Sequence, residues 1–137
     1  MNFQMEQYTT DKECPFCDIA NKIDKSRILY EDSTWIAVLD RYPVSIGHTL
    51  LIPKRHCATY FDLNAVESIT LDVTINVVVA ILKTRYEAKD FNIGVNCGKN
   101  AGQTVMHCHI HIIPRYEGDC ENPRGGVRGV IPSKQSY

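Results

Sequence analysis

The bulk composition of this 137-residue chain is short of the features that announce a partner. Lys and Arg number 15 against 16 Asp and Glu, a formal net charge of −1. Without a surplus of positive charge there is no strong field to draw in nucleic acid or an anionic membrane, and a dedicated binder of either is disfavoured. No stretch approaches the about 18 consecutive apolar residues of a transmembrane span. Residues 1–11 are polar and lack the apolar segment of a secretory signal, so a cytoplasmic protein is expected. Internal repeats and domain linkers are also absent. The expectation is one domain over 1–137, with a loose leader at 1–12 and an irregular tail at 115–137. Hydrophobic residues at 44% and charged residues at 23% fit a globular protein, and the length suffices for a core without disulfide staples.

The chain does have six cysteines: Cys14, Cys17, Cys57, Cys97, Cys108 and Cys120. In a reducing compartment they are expected as thiols. A closely spaced pair then reads better as a metal site than as part of a disulfide framework. Cys14-Pro15-Phe16-Cys17 has the spacing of half a zinc site. No second Cys-x-x-Cys completes it, so the histidines are the available partners. A redox pair of the thioredoxin kind and two plain buried cysteines are the alternatives. The first lacks the βαβ pattern that should follow it.

The pattern of apolar residues gives the elements. Asp18 to Lys22 reads as one or two helical turns. Ile28 to Tyr30 and Thr34 to Leu39 read as strands around the turn-prone Glu31-Asp32-Ser33. His48 to Pro53 reads as a buried strand. Asn64, with Glu67 three residues on, opens a helix that runs to about Lys89, and Val66, Ile69, Val73, Val77, Ala80 and Ile81 fall on one stripe of it. Asn92 to Asn96 reads as a strand, and the loop Gly98–Gly102 turns the chain back into the next strand as an antiparallel hairpin.

That last strand, His107-Cys108-His109-Ile110-His111-Ile112-Ile113, holds three of the five histidines at alternate positions. Alternate side chains of a strand share a face, so the imidazoles line one side and Cys108, Ile110 and Ile112 the other. A neutral imidazole attacks phosphorus well when its second nitrogen is held in a hydrogen bond that fixes the tautomer. The preceding Gly102-Gln103-Thr104 offers backbone N–H groups, an amide and a hydroxyl to phosphate oxygens. Alternatively, all three histidines could ligate one catalytic metal with a water in the open position.

The His-φ-His-φ-His-φ-φ run, with φ apolar, resembles the signature of the histidine triad (HIT) hydrolases and transferases. Leu39-Asp40-Arg41-Tyr42-Pro43, Gly47 through His56, and Asn96 through Val105 resemble other segments of that family in the same order. The resemblance spans about residues 14–116. The tail, Gly118 to Pro132, is similar to that of bacterial-type members. It implies an α+β fold: an antiparallel sheet of about five strands, one long helix and a short N-terminal helix, in a homodimer paired through the long helix and a strand. It implies a hydrolase acting on the α-phosphate of purine nucleotides through a nucleotidyl-histidine intermediate, with dinucleoside polyphosphates or nucleoside phosphoramidates as substrates. His109 takes the place of the nucleophile, with His111 and Thr104 serving the phosphate and the leaving group. Asp40 matches the ribose-binding position; Asn96, Gly102 and Gln103 match nucleotide contacts, and His48 a supporting histidine. In the family's zinc-containing members the ligands match Cys14, Cys17, His56 and His107, a structural zinc site. A HIT fold that binds nucleotides without turnover is the remaining alternative.

Overall fold

The structure, a computed structural model, describes residues 13–137, so the leader read at 1–12 lies outside the described residues. One antiparallel sheet organises the chain. Its strands are β1 (Ile28–Glu31), β2 (Trp35–Leu39), β3 (Thr49–Pro53), β4 (Asp90–Gly94) and β5 (Ile110–Arg115), in the order β1-β2-β3-β5-β4. The helices are a single turn, α1 (Ile19–Lys22), and the long α2 (Ala65–Tyr86). This is the five-stranded α+β architecture expected of the family.

Register decides which residues share a face. Val38 pairs with Leu50 and Leu50 with His111, whereas Ala37 pairs with Leu51 and Leu51 with Ile110. The second row, with Trp35, Cys108 and Ile112, packs against Val78 and Leu82 of α2. The first row, with Ile36 and Ile52, is covered by Phe16, Ile19 and Ile23 of the N-terminal segment. The histidine face of β5 is therefore the face opposite α2, under the segment that carries the paired cysteines.

The capping arrangement read from Asn64 and Glu67 is present. Asn64 accepts from the Glu67 N–H at 2.9 Å, and Glu67 accepts from the Asn64 N–H at 2.8 Å. Glu67, only 2% exposed, also takes two hydrogen bonds from Arg55, which ties the chain just before His56 to the start of α2. The helix stops at Tyr86, short of Lys89, because Glu87 turns into the left-handed region at φ 55°.

The stripe of Val66, Ile69, Val73 and Val77 does not face the sheet; those side chains are 58%, 80%, 64% and 39% exposed. Thr74, Val78 and Leu82, on the opposite side, are the buried ones. Because α2 is apolar on both sides, it is long and apolar enough to cross a membrane by length and composition, with a mean hydropathy of 1.8. Scattered polar residues such as Glu67 and Asp72 break that apolarity in the linear sequence.

The tail folds back as short 3-10 turns, Gly126–Val130 and Pro132–Lys134, the first lying against β4. Arg115 anchors it with two hydrogen bonds to Asp119, both 2.8 Å.

Candidate active site and metal cluster

The ladder of β5 begins only at Ile110, three residues later than the alternation of the histidines suggests. Before it, the Cys108 N–H bonds to the Cys57 carbonyl at 2.7 Å instead of to a neighbouring strand. Even so, the alternation survives: Cys108, Ile110 and Ile112 are buried in the core. The three imidazoles nevertheless have different neighbours, and those neighbours fix different tautomers.

His107 is fully buried, and its Nε2 lies 2.7 Å from the Pro53 carbonyl. A carbonyl only accepts, so Nε2 carries the proton and Nδ1 presents its lone pair. That lone pair faces Cys14 Sγ at 3.4 Å and Cys17 Sγ at 3.6 Å. His56 Nδ1 lies 3.0 Å from Cys17 Sγ. All four donor atoms are within 4.8 Å of one another. A tetrahedral zinc ion with Zn–S about 2.3 Å and Zn–N about 2.0–2.1 Å requires donors about 3.3–3.8 Å apart. Two of the three sulfur–nitrogen separations, 3.4 and 3.6 Å, meet that requirement and the third, 3.0 Å, is slightly tighter, and burial holds His107 in the neutral form a ligand needs by pushing its pKa down.

His109 has the opposite tautomer. Its Nδ1 lies 2.8 Å from the carbonyl of His107 and must donate to it, which leaves Nε2 as the free lone pair. Its ring meets that of Phe16 edge to face at 5.1 Å.

His111 is fixed at one remove. The Val44 N–H donates to His48 Nδ1 at 3.1 Å, so the His48 proton sits on Nε2. That Nε2 lies 2.9 Å from His111 Nδ1, which must accept, and the His111 proton is left on Nε2. Burial and the neighbouring His109 and His48 push the His111 pKa down to about 4, so the ring is neutral near pH 7. His48 is also shifted down, by burial, although Asp40 Oδ2 stands only 3.5 Å from its Nε2.

His109 and His111 line a cavity of about 500 Å³ together with Asp40, Asn96, Gly102 and Thr104. Gln103 is not in that lining. Its side chain spans the loop, accepting from the Gly98 N–H at 2.8 Å and donating to the carbonyls of Ala58 and Val105. His48 also stands outside the cavity, behind His111. Asp40 keeps the turn role open to any Asp before a proline: one oxygen accepts from the Tyr42 N–H at 2.9 Å. Phe16 and Arg27 belong to the lining and escaped the sequence reading. Phe16 had a signal, its place between the two cysteines. Arg27, whose guanidinium donates to the Leu39 carbonyl at 2.7 Å, had none.

The alternative of one metal held by all three histidines finds no support. Among the described residues the clusters with metal-ligand geometry are Cys14–Cys17–His56–His107 and Asp40–His48–His111, and neither contains His109.

Known proteins share the sequence and the fold. The HIT domain family matches residues 21–118. An uncharacterised HIT-like protein of Methanocaldococcus jannaschii is 40% identical over 118 residues, covering 85% of this chain and 91% of that protein. An adenylylsulfatase of Arabidopsis thaliana is 35% identical over 117 residues, covering 85% of this chain and 59% of that longer protein. Among solved structures, a zinc-bound histidine triad family protein of Mycobacterium smegmatis superposes with a TM-score of 0.70 at 33% identity, covering 78% of each chain. On sequence, fold and triad alike, this chain belongs to the HIT family.

Proposed function

We propose that the chain is a nucleotidyl hydrolase acting at the α-phosphate of a purine nucleotide. The observation that carries this reading is the His109 tautomer: Nδ1–H is held by the His107 carbonyl at 2.8 Å, and Nε2 is a free lone pair on a ring that lines the cavity. A nucleophile needs that preparation. Nε2 forms a bond to phosphorus as the bond to the departing group breaks, and water then displaces the imidazole to give the nucleoside monophosphate. The Nε2–H of His111 and the hydroxyl of Thr104 hydrogen-bond the phosphate oxygens. The apolar wall of Phe16, Ile19, Ile23 and Leu50 takes the base, and Asp40, with lone pairs to spare beyond the Tyr42 bond, takes the ribose hydroxyls.

Two further assignments accompany it. Cys14, Cys17, His56 and His107 would hold a zinc ion with no open position, a structural rather than a catalytic site. Such an ion fixes the N-terminal segment over the sheet. The exposed stripe of Val66, Ile69, Val73 and Val77 is the contact surface of a homodimer, since a row this apolar is rarely left in water.

Mass spectrometry of reactions quenched rapidly in alkali, where the acid-labile phosphorus–nitrogen bond survives, tests the mechanism. A nucleotidyl adduct on His109 is expected, with His109→Ala losing turnover while still binding nucleotide. Normal turnover by His109→Ala rules the assignment out.

A further inference from the structure

The apolar wall of the cavity, built by Phe16, Ile19, Ile23, Val38 and Leu50, has a cation beside it, the guanidinium of Arg27. Neither the attack by His109 nor the zinc cluster uses that group. We infer that Arg27 reads the edge of the base and selects guanine over adenine, so that guanosine 5′-phosphate derivatives are the preferred substrates. The inference rests on the nucleotidyl-transfer reading above, which places the phosphate at His109 and His111.

The register gives the position. Ile28 pairs with Val38, Val38 with Leu50 and Leu50 with His111, a single row across the sheet. The three interstrand steps of that row separate Ile28 from His111 by about 14 Å. Arg27 directly precedes Ile28, at the end of the 3-10 turn Lys25–Arg27. A nucleotide whose phosphate meets His111 therefore extends its base over Leu50 and Val38 toward Arg27. The ribose falls between the two ends, where Asp40 stands.

The guanidinium is held in place but keeps donors to offer. One terminal nitrogen donates to the Leu39 carbonyl at 2.7 Å. Among the described residues that carbonyl is its one hydrogen-bond partner, and Arg27 makes no ion pair. Asp24, the carboxylate nearest it in the chain, accepts from the Ser26 N–H at 2.9 Å. A guanidinium is a planar fork with donors along more than one edge, so a bond from one nitrogen leaves an edge available. The Leu39 bond also fixes the side chain before the base arrives, which reduces the freedom lost on binding. Leu39 is followed directly by Asp40, so the groups for base and ribose are braced against each other through one carbonyl.

The chemistry of the purine edge decides the choice. Stacking on valine, leucine and phenylalanine does not distinguish two purines. Arg27 offers donors alone. Guanine presents two acceptors side by side, O6 and N7, and the fork pairs with both. Adenine presents N7 beside its N6 amino group, itself a donor, so one N–H of the fork faces another N–H and goes unpaired.

The experiment measures dissociation constants for guanosine, inosine and adenosine 5′-monophosphates by calorimetry. The same bases are compared as 5′-phosphoramidates by kcat/KM. Both series are run on the wild type and on Arg27→Met, which removes the donors and keeps an apolar stem, with circular dichroism to check folding. Guanosine is expected to exceed adenosine by about 5- to 150-fold in both measures, the range for one good bidentate contact. Inosine, which keeps O6 and N7 and lacks the 2-amino group, should follow guanosine. The preference should fall toward one in folded Arg27→Met; if that variant does not fold, the inosine series decides alone. Equal affinities for guanosine and adenosine, inosine behaving as adenosine, or an undiminished preference in folded Arg27→Met overturns the assignment of Arg27 and leaves nucleotidyl transfer standing. The expected order of affinities without turnover of any amidate upholds Arg27 as the base reader and overturns nucleotidyl transfer. Failure to bind any of the three monophosphates overturns both.

Discussion

His48 Nε2 stands 2.9 Å from His111 Nδ1, and the Val44 N–H on the other side of His48 decides which ring donates. The proton position on His111 is therefore set by a residue outside the cavity that His109 and His111 line. Removing the donor frees His111 to place its proton on Nδ1 and turn a lone pair toward the phosphate. His48→Ala is expected to lower kcat by about 10- to 100-fold, the range for a supporting hydrogen-bond partner, with KM nearly unchanged. His48→Asn, whose amide N–H can still donate, should recover part of the loss. Steady-state kinetics on one substrate check both; wild-type kcat in His48→Ala would show that the relay does not matter.

Acid should weaken the fold through the same ring. In the native state the His111 pKa is pushed down to about 4, first by burial and then by His109 and His48, from an ordinary 6.5. The unfolded chain takes up this proton first as pH falls. The stability contributed is whole above about pH 6.5 and is lost between there and about pH 4. His107 and His48, also shifted down by burial, act in the same sense. Urea midpoints should fall from pH 7 to pH 4.5, and less steeply in His111→Asn.

Metal content tests the cysteine–histidine cluster. Protein prepared with zinc is expected to contain about one ion per chain, and Cys17→Ser to contain none. The melting temperature of that variant should drop by roughly 10 °C or more, since structural zinc contributes folding energy directly. Wild-type protein free of metal after such preparation would exclude the site.

The exposed stripe of α2 gives a separate test. Sedimentation of the wild type at micromolar concentration should show a dimer, and Ile69→Glu a folded monomer. Ile69 is 80% exposed within one chain, so the charge costs the isolated fold little. A monomeric wild type would remove the proposed interface.

Alternation alone is enough to group His107, His109 and His111 opposite Cys108, Ile110 and Ile112, although the ladder begins only at Ile110. Tautomers are another matter. They depend on the Pro53 carbonyl, the His107 carbonyl and the Val44 N–H, and backbone groups carry no residue-specific signal. The family resemblance pointed to His56 and Cys14 as co-ligands, although 42 positions separate them in the numbering; periodicity could not have paired them. Helix α2 was legible in its start, where Asn64 and Glu67 cap each other, and misleading in its faces. Two apolar stripes run along it, and the β-branched one that draws the eye is the one the sheet does not use. Gln103 reads as a phosphate ligand beside Thr104, yet its amide closes the Gly98–Val105 loop.

The Cys14–Cys17 tetrapeptide carries two of the proposed zinc ligands at its ends and, between them, Phe16, whose ring meets His107 at 6.0 Å and His109 at 5.1 Å. Pro15 and Phe16 also form part of the cavity wall. On the proposed function, metal occupancy and nucleotide affinity would be thermodynamically linked, since whatever steadies this tetrapeptide on one side preorganises it on the other. A substitution at Phe16, which is neither ligand nor reactant, should register in both the zinc dissociation constant and the nucleotide KM.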